Sequence, residues 1–237
     1  MLTPRRDTSA KGDGWPARCR PPSKMTRTSV PLLIVLCVLV GLSTHMVVNC
    51  GDEDDPDICS AVIGFSPLRG SLIAFAYEGR GRIALRHGDF KRAIADFDEA
   101  IHLNPNRATL YRDRALARRQ NGDLELAIAD YDEAIAHDPR LAAPYHQRGL
   151  ALAATGDLDR AILSYNTAVR LDPSDAEARL DRGLAFLARG QADDARVDFE
   201  AALALPAGKD GRARATARAK LAELASAEPA RFAAPRR

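Results

Sequence analysis

Small and aromatic residues recur along most of the chain at intervals of 34 residues. In the first half of each interval, a set of polar and apolar residues recurs at spacings of three and four residues. Residues at these spacings lie on one face of a helix. A glycine in the middle of the interval and a proline near its end divide it into two predicted helices. The pattern therefore predicts four helical hairpins in succession, over 74–107, 108–141, 142–175 and 176–209.

Glycine and aspartate define the predicted turn inside each hairpin. Glycine adopts the left-handed conformation that other residues resist, so it ends the first helix, and the aspartate that follows three of these glycines can cap the second. Proline then closes the second helix, because it lacks an amide donor and restricts the preceding residue. The turn glycines are Gly88, Gly122, Gly156 and Gly190.

Glycine or alanine occupies one position of each first helix and one position of each second helix. We predict that these small residues face each other across the hairpin, because a larger side chain would push the two helices apart. The eight packing positions are Gly81, Ala93, Ala115, Ala127, Gly149, Ala161, Gly183 and Ala195.

Each repeat has one small residue in each of its two helices, followed by an aromatic residue, an alanine and a proline at fixed spacings. This pattern resembles that of the tetratricopeptide repeat (TPR) family. The aromatic positions are Phe97, Tyr131, Tyr165 and Phe199. The resemblance implies an all-α, right-handed solenoid of four helix-turn-helix repeats, with ligands bound in the concave groove that the first helices line. The last repeat departs from this pattern at two positions. It has Arg179 where the other repeats have tyrosine, and its proline, Pro206, comes one residue before the expected position. These departures indicate that the last repeat is a modified terminal repeat.

Both ends of the repeat array are expected to be capped, because a terminal repeat would otherwise expose its apolar face. Cys59 and Ile63 lie 34 residues before Ala93 and Phe97, so residues 49–73 are predicted to hold a linker and a degenerate half-repeat. Residues 210–237 are predicted to hold a capping helix, at roughly 209–226, and a basic tail. The stripe of that helix is Ala213, Ala217, Leu221 and Leu224.

The N-terminal sequence predicts export. Residues 1–29 form a basic, predicted disordered n-region, and Met25 offers an alternative start that would give a normal signal-peptide layout. Residues 30–48 are predicted to be either a cleaved signal peptide or a retained membrane anchor. Basic residues before this segment and acidic residues after it place the rest of the chain outside the cytoplasm. The predicted location is therefore the periplasm or the periplasmic face of the inner membrane.

The cysteines agree with this location. Cys50 and Cys59 flank an acidic stretch, and such a pair suits one local disulfide in an oxidising compartment. The alternative is two unpaired small residues. The formal net charge of +2 averages over this uneven layout, because residues 1–29 carry seven basic side chains against two acidic ones.

The resemblance makes the first-helix faces the expected binding surface. Their residues predict a groove that is basic in its N-terminal half and apolar in its C-terminal half, for a peptide with one acidic and one apolar end. A groove without a peptide ligand is the alternative. The predicted groove residues are Glu78, Arg82, Arg112, Leu116, Arg119, His146, Leu150 and Leu184.

A row of arginines at the same period has two interpretations. The row could bind anions, or each arginine could pair with an aspartate of a neighbouring helix and hold the repeats in register. Because acidic residues recur with the same period, the pairing interpretation is favoured. The arginines are Arg80, Arg114, Arg148 and Arg182, and the acidic row is Asp96, Asp130 and Asp198, with Ser164 interrupting it.

No catalytic, metal-ligand or cofactor motif is found, so we predict a non-catalytic protein without a metal or cofactor. The basic C-terminal segment has Phe232 as its single aromatic residue, whereas binding of single-stranded nucleic acid uses several stacking aromatics, so the sequence does not predict nucleic-acid binding. The predicted function is a protein-interaction scaffold or adaptor of the bacterial cell envelope, whose partner and oligomeric state the sequence leaves open. The alternatives are a membrane-anchored assembly factor for an envelope complex and an enzyme accessory subunit.

Overall fold

The computed structural model describes residues 56–64, 70–205 and 211–232, and every regular element within these ranges is an α-helix. The predicted export segment and Cys50 lie outside the described residues. The helices are α1 (Pro56–Gly64), α2 (Ser71–Arg86), α3 (Phe90–Leu103), α4 (Ala108–Asn121), α5 (Leu124–His137), α6 (Ala142–Ala154), α7 (Leu158–Leu171), α8 (Ala176–Ala188), α9 (Ala192–Ala204) and α10 (Gly211–Phe232).

The helices pair as the repeat period predicts. The hairpins are α2/α3, α4/α5, α6/α7 and α8/α9, and each second helix also packs against the first helix of the next hairpin. Each hairpin therefore contacts mainly its immediate neighbours, which is the architecture of a solenoid. The predicted all-α solenoid of four helix-turn-helix repeats is confirmed.

The turns inside the hairpins have the predicted left-handed glycines, with φ between 77° and 93° at all four. Asp89 and Asp157 cap the second helices by accepting hydrogen bonds from the backbone N–H groups of Arg92 and Arg160, at 3.2 and 3.1 Å. Asp123 does not cap its helix. Its carboxylate instead accepts from the side-chain amide of Asn121 at 2.7 Å, so the predicted cap is wrong in the second repeat.

All eight predicted packing positions are buried. A Cβ built on Gly149 would lie 2.5 Å from a ring carbon of Tyr165, and one on Gly183 would lie 2.6 Å from a ring carbon of Phe199. The nearest neighbour of each of these glycines is therefore the aromatic ring of the second helix, and the facing of the small residues stays a prediction. The absence of a side chain lets the aromatic ring of the second helix lie directly on the first-helix backbone.

Replacement of Ala161 by leucine is expected to lower the free energy of unfolding by about 1–3 kcal/mol through overpacking. Ala161 is fully buried in a cluster with Leu152, Tyr165 and Ala185, which leaves no room for three further carbon atoms. Urea denaturation followed by circular dichroism measures the change. The same substitution at Ala129, which is exposed on α5, serves as the control. An unchanged midpoint for Ala161→Leu would contradict the packing.

The arginine row pairs across the hairpins, as the structural interpretation predicts. Three of its arginines each donate two hydrogen bonds to the aspartate 16 residues later, with donor–acceptor distances of 2.5–2.9 Å. Arg148 donates to the hydroxyl of Ser164 at 3.1 Å. A further nitrogen of Arg114 reaches Asp98 in the preceding repeat at 2.6 Å. The row therefore joins neighbouring repeats and is not a free anion ladder.

Helices at both ends cover the array within the described residues. On α1, Cys59 is fully buried and Ser60 accepts a hydrogen bond from Arg80 at 3.2 Å. The pairing of Cys59 with Cys50 stays a prediction. On α10, the predicted stripe packs against the cluster around Phe199. This helix continues past the predicted end at residue 226 to Phe232.

Candidate functional site

The first helices of the repeats line one side of the solenoid. Consecutive first helices contact one another directly, from α2 to α4, α4 to α6 and α6 to α8, whereas contacts between second helices are too few to form such a row. The chain therefore curves with α2, α4, α6 and α8 on its inner side. We call this surface the inner face, and it carries the predicted groove residues.

An ion network fills the N-terminal end of the inner face. Glu78, which is 2% exposed, lies with its two carboxylate oxygens 2.7 Å from Arg82 Nη2 and 2.6 Å from Arg107 Nη1. Burial raises the pKa of Glu78, and the charges of the two arginines oppose that rise. Glu78 is thus a structural anion beneath the surface, and a ligand has little access to it.

Asp113 extends this network into the second repeat. Its carboxylate contacts Arg82 and Arg112, each at 2.7 Å, and the residue is 5% exposed. The arginines that the sequence assigns to a basic groove thus have internal partners here. The N-terminal half still has an excess of cations over carboxylates, because Arg107 joins the predicted Arg82, Arg112 and Arg119.

The middle of the inner face contains two adjacent buried polar groups. Tyr131 is fully buried, and its hydroxyl lies within hydrogen-bonding reach of the Arg119 side chain. Nε of Arg119 makes no hydrogen bond in the described part of the chain. Burial raises the pKa of Tyr131 to about 12, an effect that neighbouring Arg119 and Arg112 oppose. The hydroxyl therefore remains protonated at neutral pH and can act as a donor.

Histidine and aspartate connect the third and fourth repeats. His146 is 7% exposed, and its Nε2 lies 2.7 Å from Oδ2 of Asp181 on α8. Its Nδ1 lies 3.6 Å from Asp175, and its ring is tilted on that of Tyr165, with centroids 5.8 Å apart. Like Glu78, His146 lies at the junction of two first helices, so it contributes to the floor of the groove.

Three of the predicted groove residues are leucines, and two of them lie in the C-terminal half of the inner face, beside the His146–Asp181 contact. Leu150 is half-buried against the Leu152 cluster, and Leu184 is half-buried against the cluster around Phe199. Leu116 is also half-buried, on α4. These leucines are partly accessible, so they can contact an apolar ligand segment.

The basic residues of α10 have mostly local roles. Arg214 donates to the backbone carbonyls of Ala202 and Leu205 and so closes the end of α9. Lys220 pairs with Glu223 at 2.8 Å. These contacts match the expectation of a capping helix.

Within residues 56–64, 70–205 and 211–232, no three histidine, cysteine, aspartate or glutamate side chains are placed to hold a metal ion. None of the helices there is long and apolar enough to cross a membrane, and the predicted segment 30–48 lies outside them.

Several residues that contribute to the inner face are not predicted by the sequence. Arg107 lies just before α4, and Asp113 and Asp181 lie beside the predicted stripe, so their contacts depend on how adjacent first helices approach. The sequence predicts for Tyr131 only a place in the aromatic positions of the repeat pattern. One signal could have identified it, because the two middle repeats carry a hydroxyl at the register where Phe97 and the last repeat have none.

The repeated hairpins and the inner face define a helical-repeat solenoid. Residues 81–154 match a family model described as tetratricopeptide repeat, and residues 149–190 match a second described as TPR repeat. Residues 81–190 of the chain therefore consist of tetratricopeptide repeats.

Solved TPR structures share the fold. The crystal structure of MamA is 22% identical, with a TM-score of 0.58, and the match covers 71% of this chain and 89% of MamA. YrrB, described as a TPR protein with an unusual peptide-binding site, is 17% identical, with a TM-score of 0.56 and coverage of 82% and 92%. The first TPR of Spaghetti (RPAP3), bound to the HSP90 peptide SRMEEVD, is 23% identical, with a TM-score of 0.50 and coverage of 52% and 97%. No curated protein sequence matches the chain.

Proposed function

We propose that the chain is a non-catalytic scaffold or adaptor that binds a peptide or protein segment along its inner face. The observation that carries this proposal is the polarity of that face. Half-buried Arg112 and Arg119 lie toward one end, and half-buried Leu150 and Leu184 lie toward the other. A segment with an acidic end and an apolar end matches both halves in one orientation.

The solved relatives support a peptide as the ligand. YrrB has a peptide-binding site, and the TPR of Spaghetti holds an HSP90 peptide. The chaperone-tail clamp of the family is not reproduced here, since its positions correspond to Glu78, Arg82, Asp113, Ala143 and Gln147. Because two of these are buried carboxylates, we expect a ligand other than a chaperone tail.

The bacterial cell envelope is the proposed location. This part of the proposal is supported by the sequence alone, through the apolar segment 30–48 and the charges that flank it. The order of export signal, acidic linker and repeats is similar to that of exported bacterial TPR proteins.

Charge reversal at Arg112 tests the proposed groove. Peptides are first selected on the full-length chain from a library of acidic, apolar and mixed segments, and their affinity is measured by fluorescence anisotropy. Arg112→Glu is expected to weaken binding of a selected peptide by at least about tenfold, since it replaces a cation of the basic half with an anion, and like charges that face each other across an interface oppose binding.

Arg160→Glu is the matched control, because Arg160 lies on α7 with 59% of its side chain exposed and has the same change in charge. Circular dichroism confirms that both variants are folded. Equal binding by the two variants, or no selection of mixed segments over scrambled ones, would contradict the proposal.

A further inference from the structure

The helix α10 takes the place of a fifth first helix in the array. It packs against the second helix α9 and also directly against the first helix α8. The first helices α4, α6 and α8 make the same two contacts, with the second and the first helix of the preceding repeat. The 34-residue register continues as well, because Ala217 is fully buried at the position that Gly183 has in α8. The inner face therefore extends onto α10.

One register of the inner face is a row of leucines that α10 continues with an arginine. Leu116, Leu150 and Leu184 lie 34 residues apart, and Arg218 follows at the same interval. The three leucines are half-buried on α4, α6 and α8, whereas Arg218 is exposed on α10. The apolar row thus ends at a cation of the capping helix.

The arginine at the other end of this register already has carboxylate partners. Arg82 precedes the first leucine by 34 residues, and it contacts the buried carboxylates of Glu78 and Asp113, each at 2.7 Å. A carboxylate from a ligand has to compete with these two fixed groups for the guanidinium of Arg82.

Arg218 has no such partner. Within residues 56–64, 70–205 and 211–232, no carboxylate forms an ion pair with its guanidinium. Glu223, the next acidic residue on α10, pairs with Lys220 at 2.8 Å. Glu177, an exposed carboxylate of α8, lies seven residues from the leucine of the row, which is about two helical turns. The guanidinium of Arg218 is therefore accessible to an acidic group of a ligand.

A guanidinium suits a carboxylate because it is planar, permanently charged and able to donate two parallel hydrogen bonds. We propose that Arg218 binds a carboxylate of the peptide ligand at the C-terminal end of the inner face, directly beyond the apolar residues that contact Leu150 and Leu184. This inference rests on the proposed peptide-binding function, and it adds an acidic group to the apolar end of the ligand. The apolar residues of the ligand then lie between two acidic groups.

The spacing of the helices indicates where this carboxylate lies in the peptide. Adjacent packed helices are about 8–10 Å apart, and an extended chain advances about 3.3 Å per residue. The carboxylate is therefore expected about three residues beyond the apolar side chain that contacts Leu184. The C-terminal carboxylate of a peptide that ends there and an acidic side chain at that position both fit.

Charge reversal at Arg218 in the full-length chain tests the inference, with a peptide from the selection above and fluorescence anisotropy as the readout. Arg218→Glu is expected to weaken binding by about tenfold, because an anion then faces the carboxylate of the peptide. Arg218→Gln removes the charge without adding an opposing one, so it should weaken binding by about threefold.

Arg212→Glu is the matched control. Arg212 is exposed on the same helix, but it lies six residues from Arg218 and therefore points about 120° away from it. The substitution makes the same change in net charge and should alter affinity by less than about twofold. Thermal unfolding followed by circular dichroism should give the same midpoint for all these variants, because both arginines are exposed.

Variants of the peptide distinguish the two sources of the carboxylate. If the C-terminus of the peptide binds Arg218, its amidation reduces the effect of Arg218→Glu to less than about twofold. If an acidic side chain binds Arg218, replacement of that side chain by its amide does so. Either result supports the inference and identifies the source.

Three results would overturn the inference and leave the proposed function intact. Binding that is weakened by Arg112→Glu but unchanged by both Arg218 variants would place the acidic contacts in the N-terminal half alone. Equal weakening by Arg218→Glu and Arg212→Glu would show a general effect of charge. An effect of Arg218→Glu that persists in both peptide variants would show that Arg218 binds no carboxylate. Absence of binding by any peptide to the unmodified chain would instead refute the proposed function together with the inference.

Discussion

Replacement of Arg182 by methionine is expected to lower the free energy of unfolding by about 3–5 kcal/mol. Asp198 is 2% exposed, and within the described residues both of its hydrogen bonds come from Arg182. Methionine keeps much of the aliphatic length but leaves the carboxylate buried without a cation. The cost arises because a charge that is removed from water must be compensated by a partner.

The third repeat provides a matched control for this prediction. Arg148 has the same register, but it donates to Ser164, whose hydroxyl also donates to the carbonyl of Arg160 at 2.9 Å. Arg148→Met therefore leaves a neutral group that keeps a partner, together with Asp132, which is half exposed. The expected loss is about 1–2 kcal/mol, from one neutral hydrogen bond and one exposed ion pair.

Urea denaturation of the two variants, followed by circular dichroism, compares these losses. Hydrogen exchange of the α8/α9 amides shows whether the change is local to the last repeat. Losses of similar size in Arg182→Met and Arg148→Met would contradict the argument, because they would show that the buried carboxylate adds no cost of its own.

The fold could be predicted from the sequence because the same turn and packing residues recur in every repeat of a solenoid. The period located the turns, and the left-handed glycines follow from backbone sterics that apply to every repeat. The Arg80–Asp96 type of pair was also predictable, since both residues recur at one period. The failed cap at Asp123 shows the limit, because Asn121 competes for that carboxylate in the second repeat alone.

The site was only partly predictable, because its contacts join residues of different repeats. The sequence placed Arg82 and Arg112 on the correct helices and so indicated a basic surface. It could not show that Asp113 lies between them, since that contact depends on the approach of α2 to α4. The burial of Glu78 and His146 has the same cause, as both point toward the adjacent first helix.

Replacement of Phe199 by alanine is expected to destabilise the last repeat by about 3–5 kcal/mol. Phe199 is fully buried in a cluster that joins α8, α9 and α10. Its ring lies on Gly183, and a glycine has no side chain that could move into the space left by the ring. The cavity therefore persists, and the last repeat and its capping helix lose a shared contact.

The same contact makes a second substitution informative. Gly183→Leu alone is expected to cost about 1–3 kcal/mol, because a Cβ at that position lies 2.6 Å from the ring of Phe199. In the double variant the leucine can enter the space that Phe199→Ala leaves, so the double variant should be more stable than Phe199→Ala alone. Urea denaturation of the four proteins of this double-mutant cycle measures the coupling. Additive losses would mean that the ring and the glycine are not in contact, and the aromatic-on-glycine packing of the repeats would then be refuted.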